Sequence, residues 1–207
     1  ISAWTLSAIQ NHGSDDESEY TTRLYNILVF LLASGSFLVI IFDKFISKIL
    51  FSNDYFVAWR YVPLLTVSAV FSALSGFLAG PYRATKKTMN LLLSVVIGAL
   101  INVVLNFIFL VHLGVIGAAL ATAISFFFVW IIRLILVQKI VAIKVQIGIG
   151  GISLACVIAA SIITTYDIPY GMIINIILLC FVLLVNHRNV LDVFALLKSG
   201  IRNKSIK

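Results

Sequence analysis

The polar residues best placed to do chemistry form a row inside a long apolar stretch. Asn90, Ser94, Gly98, Asn102 and Asn106 recur every four residues. On a helix this spacing puts them along one face. Such a row either donates hydrogen bonds to a neighbouring helix, which is the more ordinary case, or lines a hydrated cavity. Under the second reading, Asn102 and Asn106 are candidate substrate-binding residues.

Just before this row lies the densest internal group of positive charges. Arg83, Lys86 and Lys87 fall within five residues of one another. Clustered charges beside an apolar wall attract anions and raise their local concentration. The three residues are therefore candidates for substrate binding, with a negatively charged headgroup as the ligand. The alternative is that they only orient the chain in a membrane.

Other site chemistry is missing from the sequence. No nucleophile–base pair, phosphate-binding loop, carboxylate pair or metal-spaced His/Cys set stands out. Cys156 and Cys180 both lie in apolar segments, as buried small hydrophobes do. We therefore expect no enzyme activity, no metal, no cofactor and no nucleic-acid partner.

The composition defines the class of protein. Hydrophobic residues make up 61% of the chain and charged residues 11%, whereas soluble domains carry about 25% charged residues. The chain cannot cover its surface in water, so its solvent must be lipid. Long continuous apolar runs indicate helices rather than a β-barrel. The predicted fold is an all-α, polytopic bundle of transmembrane helices.

The elements that carry these residues follow from hydropathy. Residues 1–23 are predicted to be the end of a preceding helix (1–9) followed by a polar cytoplasmic loop. Residues 24–185 form a bundle of six spans without charged residues, and residues 186–207 form a basic amphipathic cytoplasmic tail on the membrane surface. The expected spans are 24–42, 61–80, 89–111, 113–132, 147–166 and 170–185.

Small residues spaced four apart predict close helix packing in this bundle. They allow two helix backbones to approach where no hydrophobic effect separates helix from lipid. Two such rows begin at Gly114 and Gly117 in the fourth span and its break, a third runs from Ser68 to Gly80 in the second span, and Gly98 lies in the polar row of the third span. The expected packing residues are Gly76, Gly80, Gly98, Gly114, Gly117, Ala118 and Ala121.

The basic loops predict the orientation. Arg83, Lys86 and Lys87 fill one loop, Arg133, Lys139 and Lys144 surround the next basic one, and the tail is basic. The positive-inside rule assigns these regions to the cytoplasm. The connection 43–60, with Tyr55 and Trp59, is then expected along the outer interface, where aromatic side chains are enriched.

These motifs resemble a known family. The segment "ISKILFSNDYFVAWRYVPLL", the basic loop, "INVVLNFIFL" and "LGVIGAALATAIS" follow one another over residues 46–125. Together they resemble the polysaccharide biosynthesis flippases of the multidrug/oligosaccharidyl-lipid/polysaccharide exporter superfamily. One departure is Ser52, where the family usually has Gly after Leu-Phe.

The resemblance implies a transporter rather than an enzyme. The chain would be the C-terminal part of a protein of about 12 to 14 helices arranged around a central cavity. The implied activity is flipping of undecaprenyl-diphosphate-linked oligosaccharides for O-antigen, capsule or related polysaccharides, in the bacterial cytoplasmic (inner) membrane. The implied partners are the lipid-linked oligosaccharide, membrane lipids and other polysaccharide assembly proteins. Two alternatives remain: a multidrug or metabolite exporter of the same superfamily, and a membrane-bound polysaccharide polymerase.

Overall fold

The structure, a computed structural model, describes residues 15–50, 53–141 and 147–193. Within them the chain is almost entirely helical and contains no strand, which confirms the predicted all-α class. The expected helix end at 1–9, Lys144 and most of the basic tail lie outside the described residues.

Five helical segments are long and apolar enough to cross a membrane. They are α1 (Asp15–Ile41), α3 (Val62–Phe77) with α4 (Ala79–Ala84), α5 (Thr88–Leu113), α6 (Val115–Val137) and α7 (Ile147–Thr165). The sixth predicted span is α8 (Gly171–Val185), whose 15 residues cover only about 22 Å of the roughly 30 Å core. At Asn186 the chain bends by 75° into α9 (His187–Val193). Six spans are reached only if α8 and α9 together count as one.

Helix α1 begins earlier than expected. The acidic segment predicted to be a loop is helical from Asp15 onward. Near the start of this helix, an Arg23 guanidinium nitrogen lies 2.6 Å from a carboxylate oxygen of Asp192 in α9. The pair is partly exposed, so it contributes little stability. It does place α9 beside the start of α1.

Proline sets the break between α3 and α4. Pro63 lies in the first turn of α3, where no helical N–H is needed. Pro81 has no N–H to donate to the carbonyl four residues earlier, that of Phe77. Helix α3 accordingly ends at Phe77, and the chain resumes as α4 after Leu78.

Helix α3 lies at the packed centre of the bundle, and α5 and α8 lie at its edges. Helix α3 packs on α1, α6 and α7, while α5 contacts the bundle through α6 and α8 through α7 and α1. Tyr25, Phe71 and Val157 are buried in the shared core, and the Trp130 indole N–H donates to the Tyr25 hydroxyl at 2.9 Å. Most side chains of α5 are exposed and apolar, as expected of a helix at the lipid-facing edge.

The connection between α1 and α3 is also ordered as helix. It contains α2 (Asp43–Leu50) and a 3₁₀ helix (Asn53–Arg60). Helix α2 buries Asp43 and Ser47 and exposes Phe45, Ile49 and Leu50. Burying polar residues while exposing apolar ones suits a helix lying at a lipid interface.

The helices alternate in direction, so the bundle has two distinct ends. We call one the Arg83 end, where α4 ends, α5 begins, α6 ends and α9 lies. The other is the Asp43 end, where α1 ends and α2 begins, and where α7 turns into α8. The sequence predicts that the Arg83 end is cytoplasmic.

Candidate functional site

The basic cluster predicted from sequence lies in one tight turn at the Arg83 end. Arg83 is in the last turn of α4, and Lys86 and Lys87 lead directly into α5. The Lys86 and Lys87 backbone N–H groups donate to the carbonyls of Arg83 and Tyr82, at 3.3 and 3.0 Å. All three basic side chains are exposed. The turn therefore presents three positive charges to the medium at a fixed place.

Beside this turn lies a basic residue that sequence reasoning placed wrongly. Arg133 was expected in a cytoplasmic loop, but α6 continues to Val137 and carries Arg133 inside a membrane-spanning helix. The expectation that the spans contain no charged residue is therefore wrong. Arg133 is only 9% exposed. An ionisable group buried in such a helix is by default a candidate functional residue.

The partners of the Arg133 guanidinium are neutral. Its Nε–H donates to the Ser94 hydroxyl at 2.9 Å, and an Nη1–H donates to the Ser75 carbonyl at 2.8 Å. The Tyr82 hydroxyl in turn donates to the Arg133 carbonyl at 3.2 Å. In the part of the chain that the structure describes, no carboxylate lies within ion-pair distance of Arg133. These contacts hold the guanidinium in place without neutralising its charge.

The resulting site is a region of positive charge with a buried centre. Arg83 is close enough to Arg133 to interact with it electrostatically. Arg133 lies among the ends of α3, α5 and α6, and the exposed turn Arg83–Lys87 adjoins it. A guanidinium is a planar donor suited to carboxylates and phosphates. The chemistry that fits this arrangement is attraction and binding of an anion.

The two asparagines predicted to bind substrate do not join this site. The Asn102 amide nitrogen donates to the hydroxyls of Thr122 and Ser125 on α6, at 3.5 and 3.3 Å. The Asn106 amide donates to the carbonyl and side-chain oxygens of Asn102. Fifteen residues of α5 separate Lys87 from Asn102, which is roughly 22 Å. These contacts match the interpretation in which the polar row of α5 donates hydrogen bonds to a neighbouring helix.

The predicted packing residues divide into two groups. A Cβ on Gly117 would lie 2.2 Å from the Phe109 backbone oxygen, and one on Gly98 would lie 2.2 Å from a Val129 methyl group. Only glycine permits the α5–α6 approach at these two points. Ala121 on α6 and Gly80 on α4 are buried, whereas Ala118 on α6 is half-buried.

Gly76 and Gly114 do not pack in this way. Gly76 is exposed, and a Cβ at either glycine would meet nothing within 4 Å. Gly114 instead ends α5 with φ of +59°, a backbone conformation that L side chains rarely adopt. Its role is the sharp break between α5 and α6 rather than a close contact.

A regular pattern in α6 could have revealed Arg133. The buried row that begins at Gly117, Ala121 and Ser125 continues every four residues through Val129 and Arg133. Extending the small-residue row by two steps would have put Arg133 on the packed face. The charge by itself predicts the end of the span at this point, because basic residues commonly flank spans.

Metal-binding clusters do not occur in the described part of the chain: no group of three or more His, Cys, Asp or Glu side chains is suitably placed. Both cysteines are free: Cys156 in α7 is half-buried, and Cys180 in α8 is exposed.

Comparison with known proteins identifies the class as helical membrane transporters. The family model MatE matches residues 2–108, which is just over half of the chain. The chain therefore belongs to the MatE family, whose members are transporters rather than enzymes, as the sequence predicts. This family lies in the superfamily expected from the sequence, but the match does not single out the polysaccharide flippases.

One relative among curated proteins is Protein DETOXIFICATION 43 of Arabidopsis thaliana. It is 36% identical to this chain over 84 residues, which are 40% of the chain and 16% of that protein. The aligned stretch is thus a small part of the relative. No solved structure matches the chain significantly.

Proposed function

We propose that this chain is part of a MatE-family exporter whose substrate is a negatively charged organic molecule. The observation that carries the proposal is Arg133, a buried guanidinium held by the neutral Ser94 and Ser75 groups. Its uncompensated charge attracts an anion more strongly than an exposed lysine does, because water screens it less. The turn with Arg83, Lys86 and Lys87 raises the anion concentration beside it.

Within this proposal, a metabolite exporter is the first candidate. Family membership and the name DETOXIFICATION of the relative both support it. Intramembrane carboxylates, which suit organic cations, are rare here: Asp15, Asp16, Glu17 and Glu19 lie near the start of α1, and the other four long described spans contain no Asp or Glu. An anionic metabolite therefore fits the charges of these helices better than a cationic drug.

A lipid-linked oligosaccharide flippase is the second candidate. Its substrate keeps its lipid tail in the bilayer while a diphosphate headgroup crosses. Helix α5 starts at the basic turn and exposes a long apolar face that includes Leu92, Val96 and Val103. Such a face could guide a lipid tail while the basic turn holds the headgroup. In this version the chain forms the C-terminal part of a 12- to 14-helix flippase of the bacterial cytoplasmic membrane.

The experiment compares an anionic and a cationic probe. The full protein is reconstituted in vesicles, and export of carboxyfluorescein and of ethidium is measured for wild type and R133Q. Arg188, exposed near the same end in α9, provides the matched control R188Q. We expect R133Q to lower carboxyfluorescein export about tenfold or more, and R188Q to leave it near the wild-type rate.

The outcomes distinguish the alternatives. Unchanged carboxyfluorescein export in a correctly folded R133Q, or export of ethidium alone by the wild type, would overturn the anion proposal. R133K retains the charge without the planar fork, so it should keep part of the activity. For the flippase version, a deletion strain should accumulate lipid-linked sugar on the inner face of its membrane. Normal surface polysaccharide in that strain excludes it.

A further inference from the structure

A cavity lies at the Asp43 end of the bundle, away from the proposed anion site. Its volume is about 640 Å³. The end of α1 and the start of α2 form one wall, and the turn from α7 into α8 forms the other. Its polar lining consists of Asp43, Lys44, Thr164, Asp167 and Asn175. Neither the family match nor the transport proposal gives this cavity a role.

Two residues that line the cavity, Asp43 and Asn175, each have a buried oxygen atom without a hydrogen-bond partner. Asp43 is 3% exposed, and its Oδ1 accepts from the Lys44 backbone N–H while its Oδ2 is unpartnered. Asn175 is 2% exposed, and its amide nitrogen donates to the Thr164 hydroxyl at 2.8 Å while its Oδ1 is unpartnered. Buried polar atoms are nearly always satisfied in folded proteins. Two residues of one cavity lining with unmet acceptors therefore point to a missing ligand.

Both unmet atoms are acceptors, so the ligand must donate hydrogen bonds or be a cation. The neighbouring charges support a cation. Lys44 compensates Asp43 only in part, because its ammonium also lies 2.8 Å from Asp167 and 4.3 Å from the centre of the Trp59 ring. With one lysine and two aspartates in the lining, the cavity is negative when Asp43 is ionised.

The size, lining and position of the cavity indicate an amphipathic ligand. A bare ion would fill only a small part of 640 Å³. Apolar side chains make up much of the wall, among them Phe45, Ile163 and Met172. Helix α2 exposes Phe45 and Ile49 beside the cavity, so this end of the bundle lies at a lipid interface.

We propose that this cavity binds the primary ammonium group of an aminophospholipid from the adjacent leaflet. The ammonium, with three N–H donors, would donate to Asp43 Oδ2 and Asn175 Oδ1. The apolar wall would contact the glycerol and the upper acyl chain. The shared chemistry is a primary amine, which a soluble amine could also supply, and the experiment separates these sources.

Protonation of Asp43 allows the proposal to be tested by changing the pH. Asp43 is the first residue of α2, outside the membrane-spanning segments. Burial raises the pKa of Asp43 to about 6, against the lowering effects of the Lys44 N–H and ammonium, while Asp167 also raises it. The carboxylate that attracts an ammonium is thus present above pH 6 and is lost as the pH falls through 6.

The test measures lipid preference of the full protein. Wild type, D43N and D192N are placed in nanodiscs of phosphatidylcholine with or without phosphatidylethanolamine, and retained lipid is counted by native mass spectrometry. Choline has no N–H to donate, so the pair isolates the ammonium donors. Asp192 lies at the other end, in its exposed pair with Arg23, and D192N makes the same charge change. We expect about a tenfold preference for phosphatidylethanolamine in wild type and D192N, and none in D43N.

Further measurements separate the possible outcomes of this test. If D43N does not fold, the wild type itself must lose its preference between about pH 7.5 and about pH 5. Equal retention of both lipids by the wild type, or a preference that survives in D43N, overturns the proposal. Equal protection from unfolding by free ethanolamine assigns the site to a soluble amine and overturns the lipid source. Protection by sodium chloride but not by choline chloride, without any lipid preference, replaces the ammonium with a bare cation.

Discussion

The two ends of the bundle contain opposite kinds of buried charge. At the Arg83 end, the Arg133 guanidinium is buried and its hydrogen bonds go to neutral partners, Ser94 and Ser75. At the Asp43 end, a carboxylate is buried and one of its oxygens has no partner. The first end offers donors that are held in place, and the second offers acceptors that are left unmet. The first is therefore built around a positive charge, whereas the second lacks a donor.

The difference also separates what is fixed by the chain from what needs a ligand. Satisfied hydrogen bonds hold Arg133 rigidly against α3 and α5, so its position is set by folding alone. Asp43 and Asn175 instead carry the cost of desolvated oxygens until a donor arrives. We therefore expect substitutions at the Arg83 end to change transport more than stability. Substitutions at the Asp43 end should change stability in a way that depends on pH and lipid.

The largest effect should come from the contact that holds α5 against α6. In Gly117→Leu, the new side chain would start 2.2 Å from the Phe109 backbone oxygen, so the helices must separate. Phe109 and Gly117 adjoin the break at Gly114, so the substitution loosens the α5–α6 hairpin that carries Ser94 and Arg133 at its other end. We expect a loss of about 3 kcal/mol or more in the free energy of unfolding, measured as folded protein in detergent extracts.

Gly76→Leu is the matched control for this substitution. Gly76 is also in a membrane helix, but a Cβ there meets nothing within 4 Å. Its replacement should leave the folded yield close to that of the wild type. Equal yields of the two variants would show that the close approach of α5 and α6 at Gly117 does not stabilise the bundle.

The sequence predicts the helices of this bundle better than the side chains that face one another. Hydropathy located each long apolar segment, and Gly114 broke the chain between α5 and α6 where expected, because both features are local. The basic turn was likewise visible, since its three charges lie within five residues. Local composition also suggested that α8 spans the membrane alone, although it is too short and bends away at Asn186.

Burial depends on tertiary contacts and was therefore missed at particular residues. Arg133 looks like the end of a span, and only packing of α6 against α3 and α5 shows it to be inside. Asp43 looks like an interfacial charge, and its burial depends on α7 and α8, more than 100 residues later in the chain. Gly76 belongs to a small-residue row, yet α3 turns other residues, including Phe71 and Leu74, toward the core.

The next prediction concerns Asp43 and stability. Its pKa is about 6 in the fold against an ordinary value of 3.8, so the folded state holds more protons between these values. Stability therefore rises as the pH falls through 6, and above pH 6 the ionised carboxylate costs the fold on the order of 3 kcal/mol. D43N removes that cost. In nanodiscs without amine lipids, we expect a higher Tm for D43N than for wild type at pH 7.5.

The pH dependence provides the control for this prediction. The Tm difference should shrink toward pH 4, where the wild-type carboxyl is neutral in the folded state and no longer carries a buried charge. D192N, whose carboxylate is partly exposed and paired with Arg23, should show a much smaller effect at either pH. A Tm difference that does not change with pH would mean that the buried charge is not what distinguishes the Asp43 end.

The smallest effect should come from the exposed turn, and it tests whether the Arg83 end works through Arg133 alone. Arg83, Lys86 and Lys87 are exposed, so each attracts an anion only weakly and water and salt screen it. Changing all three to Gln should slow carboxyfluorescein export about two- to fivefold at low substrate, and hardly at all at saturation. About 0.5 M salt should abolish the difference.

The double variant K48Q/R60Q removes exposed charges at the Asp43 end and should have no such effect. Because lost basic residues can also reverse orientation, accessibility of the turn is checked by labelling in the same vesicles. Wild-type export by a correctly oriented triple variant at every substrate level would confine anion recognition to the buried guanidinium. A salt-independent loss would mean that the turn contacts the substrate directly.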